Sequence, residues 1–296
     1  MRVWTPLTTA LAAVFAAAAV LLPTPAEAPA GDCMKLRTGS YDITVQSAGE
    51  ARNVHMHVPR VLPGGRPALV VAFHGAGANG SFMESYSGLS KVADKAGFIV
   101  AYPSAWGSHP FWSLNDDAPN GRQDGAFVAD LLDQIEDQFC VDTHRIYATG
   151  VSNGGGFTAR IGCQFADRFT AIAPVAGGYK AIPDCDATRP VSVLEIHGTA
   201  DRAVPYHGVP PDYRGSVRRY LNQWVRLDRC GPKSSVQHTA KDPPTILRVW
   251  SGCANRTLVA HIERYGRGHE WPGGFGQPGM SAARAVWAFF RMLRSD

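Results

Sequence analysis

Residues 150–154 read Gly-Val-Ser-Asn-Gly, a G-x-S-x-G pattern centred on Ser152. A strand-like run at 146–148 precedes the pattern, and helix-compatible sequence that opens with three glycines follows it. This strand–turn–helix context is typical of a nucleophile elbow, in which the serine Oγ stands exposed above a sheet. The amino end of the helix would also favour developing negative charge. Because the pattern alone is common, a glycine-rich turn that binds phosphate or simply reverses the chain is the alternative.

A nucleophilic serine needs a base, and after such an elbow the chain order is serine, acid, histidine. Asp201 comes just after an apolar strand-like run at 191–196. His269 lies in a glycine-rich loop between a strand-like run at 258–265 and the last helical segment. The rival acids and histidines do not occupy such loops: Asp184, Asp186, Asp212, His238 and His261. The sequence therefore predicts a catalytic triad of Ser152, Asp201 and His269, suited to two-step acyl transfer.

Acyl transfer also needs two backbone donors for the oxyanion of its tetrahedral intermediate. One is expected to be the amide of Asn153, the residue after the nucleophile. The other is expected after the strand-like run at 68–73, where the chain reads His-Gly-Ala-Gly. We expect the Ala76 amide to serve, with the Gly77 amide as the alternative. An ordinary strand-ending turn is the competing interpretation of this loop.

Apolar runs and helical stretches alternate along the chain, and the segments between them are rich in turn residues. Strands are predicted at 41–45, 53–58, 68–73, 98–102, 145–149, 171–175, 191–196, 246–250 and 258–265. Helices are predicted at 88–96, 125–139, 154–164, 217–227 and 281–293, with a long loop at 103–121. Strands separated by helices favour an α/β fold with a mostly parallel central sheet and helices on both faces. Residues 31–296 are expected to form a single catalytic domain.

Four segments together resemble the secreted polyhydroxybutyrate depolymerase/feruloyl esterase family of α/β hydrolases. They are His74-Gly75, Gly-Val-Ser152-Asn-Gly-Gly, His197-Gly-Thr-Ala-Asp201 and Gly268-His269-Glu-Trp-Pro-Gly-Gly, and the likeness extends from about Gly39 to Leu293. The resemblance implies the α/β-hydrolase fold, a serine esterase activity, the same triad of Ser152, Asp201 and His269, and no metal or organic cofactor. One departure stands out. Family members often carry two adjacent aspartates where this chain reads Gln123-Asp124, which leaves the role of Asp124 open.

A metal site is also disfavoured by the residues themselves. His269 and Glu270 begin an H-E pair, but Gly273 stands where a zinc-protease motif needs its second histidine. The six cysteines contain no C-x-x-C pair, so a zinc or thioredoxin-type site is not expected. These observations agree with an enzyme that needs no cofactor.

The amino terminus has the layout of a secretory signal peptide. Arg2 is followed by an apolar stretch at 7–22 and by small residues, so we expect a signal peptide over residues 1–30, cleaved after Ala30. A membrane anchor is the alternative, but the stretch is shorter than the ~20 residues that a spanning helix needs. We therefore expect an extracellular protein without a stable membrane anchor.

An even number of cysteines in an exported chain suggests disulfides. The Cys230–Cys253 pair is favoured because both residues lie in one local segment, and the two resemble a cysteine pair often seen in the family. The remaining cysteines have no evident pairing: Cys33, Cys140, Cys163 and Cys185.

The formal net charge of +4 is spread along the chain without a dense basic run. A nucleic-acid partner would need a concentrated basic patch, so none is expected. The expected partner is an ester substrate, which can be polymeric, and the protein is expected to be a monomer.

Aromatic residues are the candidates for substrate contact. Trp106 and Trp112 in the long loop and Trp271 beside the proposed base are candidates to contact sugar rings or a feruloyl group, with core packing as the alternative. Feruloyl or acetyl esters of plant polysaccharide and polyhydroxyalkanoate-type polyesters are the expected substrates. A serine peptidase of the same fold and a non-catalytic secreted binding protein are the rival functions.

Overall fold

A computed structural model describes residues 37–62, 64–117, 120–179, 185–211, 215–238 and 244–295. The expected signal peptide and Cys33 lie outside these ranges. The described strands are β1 (Gly39–Ser47), β2 (Glu50–Val58), β3 (Leu69–Phe73), β4 (Ile99–Pro103), β5 (Ile146–Val151), β6 (Ala171–Val175), β7 (Ser192–Gly198), β8 (Ser234–His238), β9 (Thr245–Trp250) and β10 (Val259–Arg264). The described helices are α1 (Gly80–Ser87), α2 (Leu89–Ala96), α3 (Gly121–Phe139), α4 (Asn153–Gln164), α5 (Val217–Leu227) and α6 (Ala282–Phe290). Two short 3-10 turns lie at Ala254–Arg256 and Gly274–Gly276.

The ten strands form one sheet in the order β1-β2-β4-β3-β5-β6-β7-β10-β9-β8. The six central strands, from β4 to β10 in this order, run parallel. An antiparallel pair flanks them on each side, β1 with β2 and β8 with β9. The predicted mostly parallel central sheet is thus confirmed. The carboxyl ends of the central strands meet at one edge of the sheet, and the loops that carry Ser152, Asp201 and His269 leave from this edge.

Both faces of the sheet are covered, which explains why the central strands are continuous apolar runs. In β3, Val71 and Phe73 point to one face and Val70 and Ala72 to the other, and all four are fully buried. Side chains of α3, α4 and α5 complete the first core, and side chains of α1, α2 and α6 complete the second.

Helix α1 and strand β8 are not predicted from the sequence, because neither shows a clear apolar period. Helix α1 is fixed by its ends, since Asn79 Oδ1 accepts a hydrogen bond from the Phe82 amide (2.9 Å) and Gly88 stops it with φ 69°. Strand β8 is a mostly exposed edge strand whose stability comes from its pairing with β9.

Two disulfides have both of their cysteines among the described residues. Cys163 in α4 is bonded to Cys185 in the segment after β6, and Cys230 is bonded to Cys253. Cys140 is also disulfide-bonded. Among the described residues, no helix is long and apolar enough to cross a membrane.

Candidate active site

Ser152 sits at the sharp turn between β5 and α4. Its backbone has φ 58° and ψ −120°, a conformation that non-glycine residues rarely adopt. The surrounding backbone holds it there: the Ser152 amide donates to the Val175 carbonyl (3.0 Å), and the Gly156 amide donates to the Ser152 carbonyl (2.9 Å). Such retained strain clusters at functional positions, and here it presents the serine at the carboxyl edge of the sheet.

The glycines around Ser152 are required by close backbone approach. A Cβ on Gly150 would lie 2.4 Å from the Gly154 carbonyl oxygen, and a Cβ on Gly154 would lie 2.3 Å from the His74 carbonyl oxygen. Both distances are far below van der Waals contact, so no other residue fits without moving the backbone. The G-x-S-x-G pattern is therefore explained by the packing of α4 against β3 and β5.

Asp201 and His269 are directly hydrogen-bonded. His269 Nδ1 lies 2.7 Å from Asp201 Oδ2, although the two residues are 68 positions apart in the chain. Asp201 follows β7 and its side chain is fully buried, whereas the His269 side chain, in the loop after β10, is 27% exposed. General-base catalysis by histidine requires a ring that the substrate can reach and a buried acid that holds one of its nitrogens. Asp201 and His269 have this arrangement.

The Asp201 carboxylate is saturated with donors. Its Oδ1 accepts from the amides of Ala203 (2.9 Å) and Val204 (2.8 Å), and its Oδ2 is also 3.2 Å from His197 Nε2. Burial by itself raises the pKa of Asp201, but the hydrogen bonds from His197, His269 and Val204 hold that pKa well below its usual range. Asp201 therefore stays ionised and fixed in orientation at any pH where His269 could act as a base.

Ser152 and His269 are not hydrogen-bonded to each other within the described residues. Ser152 nevertheless lies close to two neighbouring segments. A Cβ on Gly75 would lie 3.5 Å from Ser152 Cβ, and the Gly178 amide donates to the Ser152 carbonyl (3.3 Å). The structure thus places the serine between the loop after β3 and the segment after β6.

The loop after β3 is held by His74, a residue whose role the sequence did not reveal. His74 Nδ1 lies 2.7 Å from the Gly75 carbonyl, and its Nε2 accepts from the Ala105 amide (3.0 Å). Burial lowers the pKa of His74, which fits this neutral tautomer with one donor and one acceptor. The Gly77 amide donates to the Pro110 carbonyl (2.8 Å) and is therefore occupied. Ala76 itself is exposed.

Two of the three tryptophans expected in a substrate cleft lie in the core instead. Trp112 is fully buried and stacks on Phe157 with ring centroids 4.8 Å apart. Trp271 is 1% exposed, and its indole Nε1 donates to the Ser87 carbonyl (3.0 Å), which anchors the His269 loop to α1. The expectation of substrate contact is therefore wrong for these two residues, because packing turns both rings inward. Trp106 is 39% exposed, so its ring faces solvent.

The long loop at 103–121 is clamped to the elbow by polar side chains. Asn153 accepts from the Trp112 amide (2.8 Å) through Oδ1 and donates to the Trp112 carbonyl (2.9 Å) through Nδ2. Asp124 Oδ2 accepts from the Ser113 amide (2.9 Å), and Asp124 Oδ1 pairs with the buried Arg52 (3.1 Å). Asp124, the one aspartate present where family members often carry two, therefore has a structural role as a buried partner of Arg52 and of the loop.

Comparison with known proteins agrees with this fold. Residues 55–210 match the model of the family described as Esterase PHB depolymerase. A bifunctional acetylxylan esterase/xylanase of Neocallimastix patriciarum is 27% identical over 84% of this chain and 34% of its own length. Feruloyl esterase C of Emericella nidulans is 31% identical over 72% of this chain and 71% of its own length. An acetyl xylan esterase structure from Aspergillus awamori superposes with a TM-score of 0.66 and 17% identity, covering 85% of this chain and 99% of the other.

The described fold is that of the α/β serine hydrolases. Within that class, the chain belongs to the Esterase PHB depolymerase family. It is therefore a member of an esterase family, and it spans about a third of the length of the bifunctional relative.

Proposed function

We propose that this protein is an exported serine hydrolase that cleaves carboxylic esters through an acyl-enzyme on Ser152. The observation that carries the proposal is the 2.7 Å bond between His269 Nδ1 and Asp201 Oδ2, at the same sheet edge as the strained Ser152. Export is supported by the leader-like residues 1–30 and by the disulfides, which persist in oxidising compartments.

In the proposed first step, Ser152 Oγ attacks the ester carbonyl carbon while His269 Nε2 takes the serine proton. His269 Nδ1 keeps its proton and donates it in the bond to Asp201, which stabilises the imidazolium that forms. The carbonyl oxygen becomes an oxyanion that the Asn153 and Ala76 amides bind. Ala76 is preferred to Gly77 because the Gly77 amide already donates to Pro110.

In the second half of the reaction, His269 Nε2 returns its proton to the alkoxide, and the alcohol leaves. The acyl group remains on Ser152 Oγ. Water then attacks the acyl carbon while His269 takes one of its protons, and collapse of the second tetrahedral intermediate releases the acid and restores the Ser152 hydroxyl.

A small cavity, two of whose lining residues are hydrogen-bonded to the proposed site, supports a choice between acyl groups. It has a volume of about 180 Å³ and is lined mainly by apolar groups, among them Tyr179, Pro205 and Val209. Two of its lining residues are hydrogen-bonded to the proposed site. The Gly178 amide donates to the Ser152 carbonyl, and the Val204 amide donates to Asp201 Oδ1. An apolar cavity of about 150 Å³ holds benzene, so this one has room for a single aromatic ring. We therefore favour a feruloyl-type acyl group over acetyl or hydroxybutyryl groups, which would leave much of the cavity unfilled.

A substrate panel with the full chain tests this choice. We expect methyl ferulate to have a kcat/KM at least tenfold above acetylated xylan and short hydroxybutyrate oligomers. Val209→Trp should fill the cavity and lower kcat/KM for methyl ferulate at least tenfold, with little effect on acetyl esters. Val236→Trp, at a similarly exposed position on β8, is the matched control. A preference for acetyl or hydroxybutyryl esters that Val209→Trp leaves unchanged would reject the aromatic acyl group.

A further inference from the structure

Asp201 also belongs to a buried charged cluster whose other two members, Glu195 and His197, are not used by acyl transfer itself. Its centre is His197 on β7, whose side chain is fully buried, as are those of Glu195 and Asp201. His197 Nδ1 lies 2.9 Å from Glu195 Oε1. His197 Nε2 lies 3.2 Å from Asp201 Oδ2 and 3.0 Å from the Val204 carbonyl oxygen. Both ring nitrogens therefore face oxygen acceptors.

This geometry assigns a proton to each nitrogen of His197. A neutral imidazole has one N–H and one lone pair, so one of its nitrogens would have to point a lone pair at a carboxylate. The imidazolium form satisfies both contacts. Burial by itself lowers the pKa of His197, but its bonds to Asp201 and Glu195 and the charge of Glu195 raise that pKa to about 10. The cluster of Glu195, His197 and Asp201 then carries a single net negative charge.

We propose that His197 is a positioning residue that holds Asp201 in place as a buried cation and reduces the negative charge that Asp201 presents to His269. The proposal rests on the proposed function, because it concerns the base of that reaction. His197 and His269 contact the same oxygen, Asp201 Oδ2, at 3.2 and 2.7 Å. The positive charge of His197 therefore opposes formation of a second imidazolium at His269, and a variant of His197 without charge would relieve this opposition.

The other titratable groups near His197 either contact Glu195 or pack against the His197 ring. The Tyr179 hydroxyl donates to Glu195 Oε1 (2.9 Å), and His261 Nδ1 lies 2.7 Å from Glu195 Oε2. Tyr206 packs edge-on against the His197 ring and is hydrogen-bonded to His261 Nε2 (2.9 Å). Burial raises the pKa values of Tyr179 and Tyr206, so both phenols stay neutral and add no charge near neutral pH.

His197→Gln separates charge from hydrogen bonding, because a glutamine amide can still donate toward Asp201 but carries no charge. We expect the acidic limb of the kcat/KM profile, which reports the ionisation of free-enzyme His269, to move upward by about one pH unit. His197→Leu also removes the donor and should lower kcat/KM at least tenfold at the optimum. His238→Gln, at an exposed position on β8, is the control and should leave the profile unchanged.

A His197→Gln enzyme with a wild-type acidic limb would overturn the proposal, whatever its overall activity. A purely structural role would lower activity or stability without moving that limb. Failure of the proposed function would be distinguishable, because the wild type would then have no esterase profile to shift.

A second measurement uses no substrate and needs no His197 variant to fold. In ¹⁵N-histidine NMR of the full chain, one ring should keep both nitrogens protonated at pH 8. The pKa of His57 is also raised, chiefly through its hydrogen bond to Glu84 against the opposing effect of burial, so the spectrum is recorded on His57→Gln. Absence of any doubly protonated ring at pH 8 in that variant would reject the imidazolium.

Discussion

Replacing Asp228 by asparagine should make the stability of this protein less sensitive to pH. Asp228 follows α5 and is fully buried, and its Oδ1 accepts one hydrogen bond from the Val191 amide (3.1 Å). Burial raises the pKa of Asp228 from 3.8 to about 7. The folded state therefore disfavours the ionised carboxylate that the unfolded state accepts without cost.

The sign and size of this effect on the free energy of unfolding follow from the linkage between ionisation and folding. For an acid whose pKa is raised by folding, the penalty is absent well below pH 3.8, grows up to about pH 7 and is constant above that. A shift of this size corresponds to about 4 kcal/mol at pH 8, of which about 2.5 kcal/mol develops between pH 5 and pH 8. Asparagine keeps the acceptor for Val191 and loses the charge. Its NH₂ group is a buried donor that costs about 1–3 kcal/mol at every pH.

Urea unfolding of the oxidised full chain is measured at pH 5 and pH 8. The cost of burying the asparagine NH₂ group is the same at both pH values, so the difference between them reports the ionisation of Asp228 alone. The free energy of unfolding of Asp228→Asn, relative to wild type, should be about 2.5 kcal/mol more favourable at pH 8 than at pH 5. Asp167→Asn, at an exposed carboxylate, should show no such change. A difference between Asp228→Asn and wild type that is the same at both pH values would refute the reasoning.

Two further substitutions probe the elbow. Asn153→Ala should leave the buried Trp112 amide and carbonyl unpaired and lower the free energy of unfolding by about 2–4 kcal/mol. A loss below about 0.5 kcal/mol in urea unfolding would show that these two hydrogen bonds do not hold the loop. Gly154→Ala would place a methyl group 2.3 Å from the His74 carbonyl oxygen, so we expect a loss above about 3 kcal/mol or no soluble protein. Gly64→Ala, which meets no atom within 4 Å, is its control, and equal effects of the two would argue against the close approach.

Much of the fold could be predicted because its determinants are local in the sequence. A strand buried on both faces must be apolar throughout, so β3 was visible as a run of five apolar residues. Asp201 and His269 were predictable as candidates because loops after parallel strands meet at one sheet edge, and their hydrogen bond follows from that topology. Helix α1 was not predictable in this way, because its stability depends on its caps and on packing rather than on an apolar stripe.

Side-chain directions and cross-strand partners could not be predicted from the sequence. Trp112 and Trp106 lie in the same loop, yet the Trp112 ring is fully buried and stacks on Phe157, whereas the Trp106 ring faces solvent. This difference arises from tertiary packing. The pairing of Glu195 with His261 needs the register of β7 against β10, where these two residues are direct neighbours. The Cys163–Cys185 bond likewise joins α4 to a segment that no spacing rule connects to it.

The central claim, that Ser152 is the nucleophile activated by His269 and Asp201, is tested most directly by active-site labelling. The full chain is treated with a fluorophosphonate, and the adduct is located by intact-mass and peptide mass spectrometry. We predict one adduct per chain, located on Ser152, that is absent in Ser152→Ala and forms at least a hundredfold more slowly in His269→Ala. An adduct that persists in Ser152→Ala, or a wild-type enzyme that hydrolyses esters without being labelled, would contradict the claim.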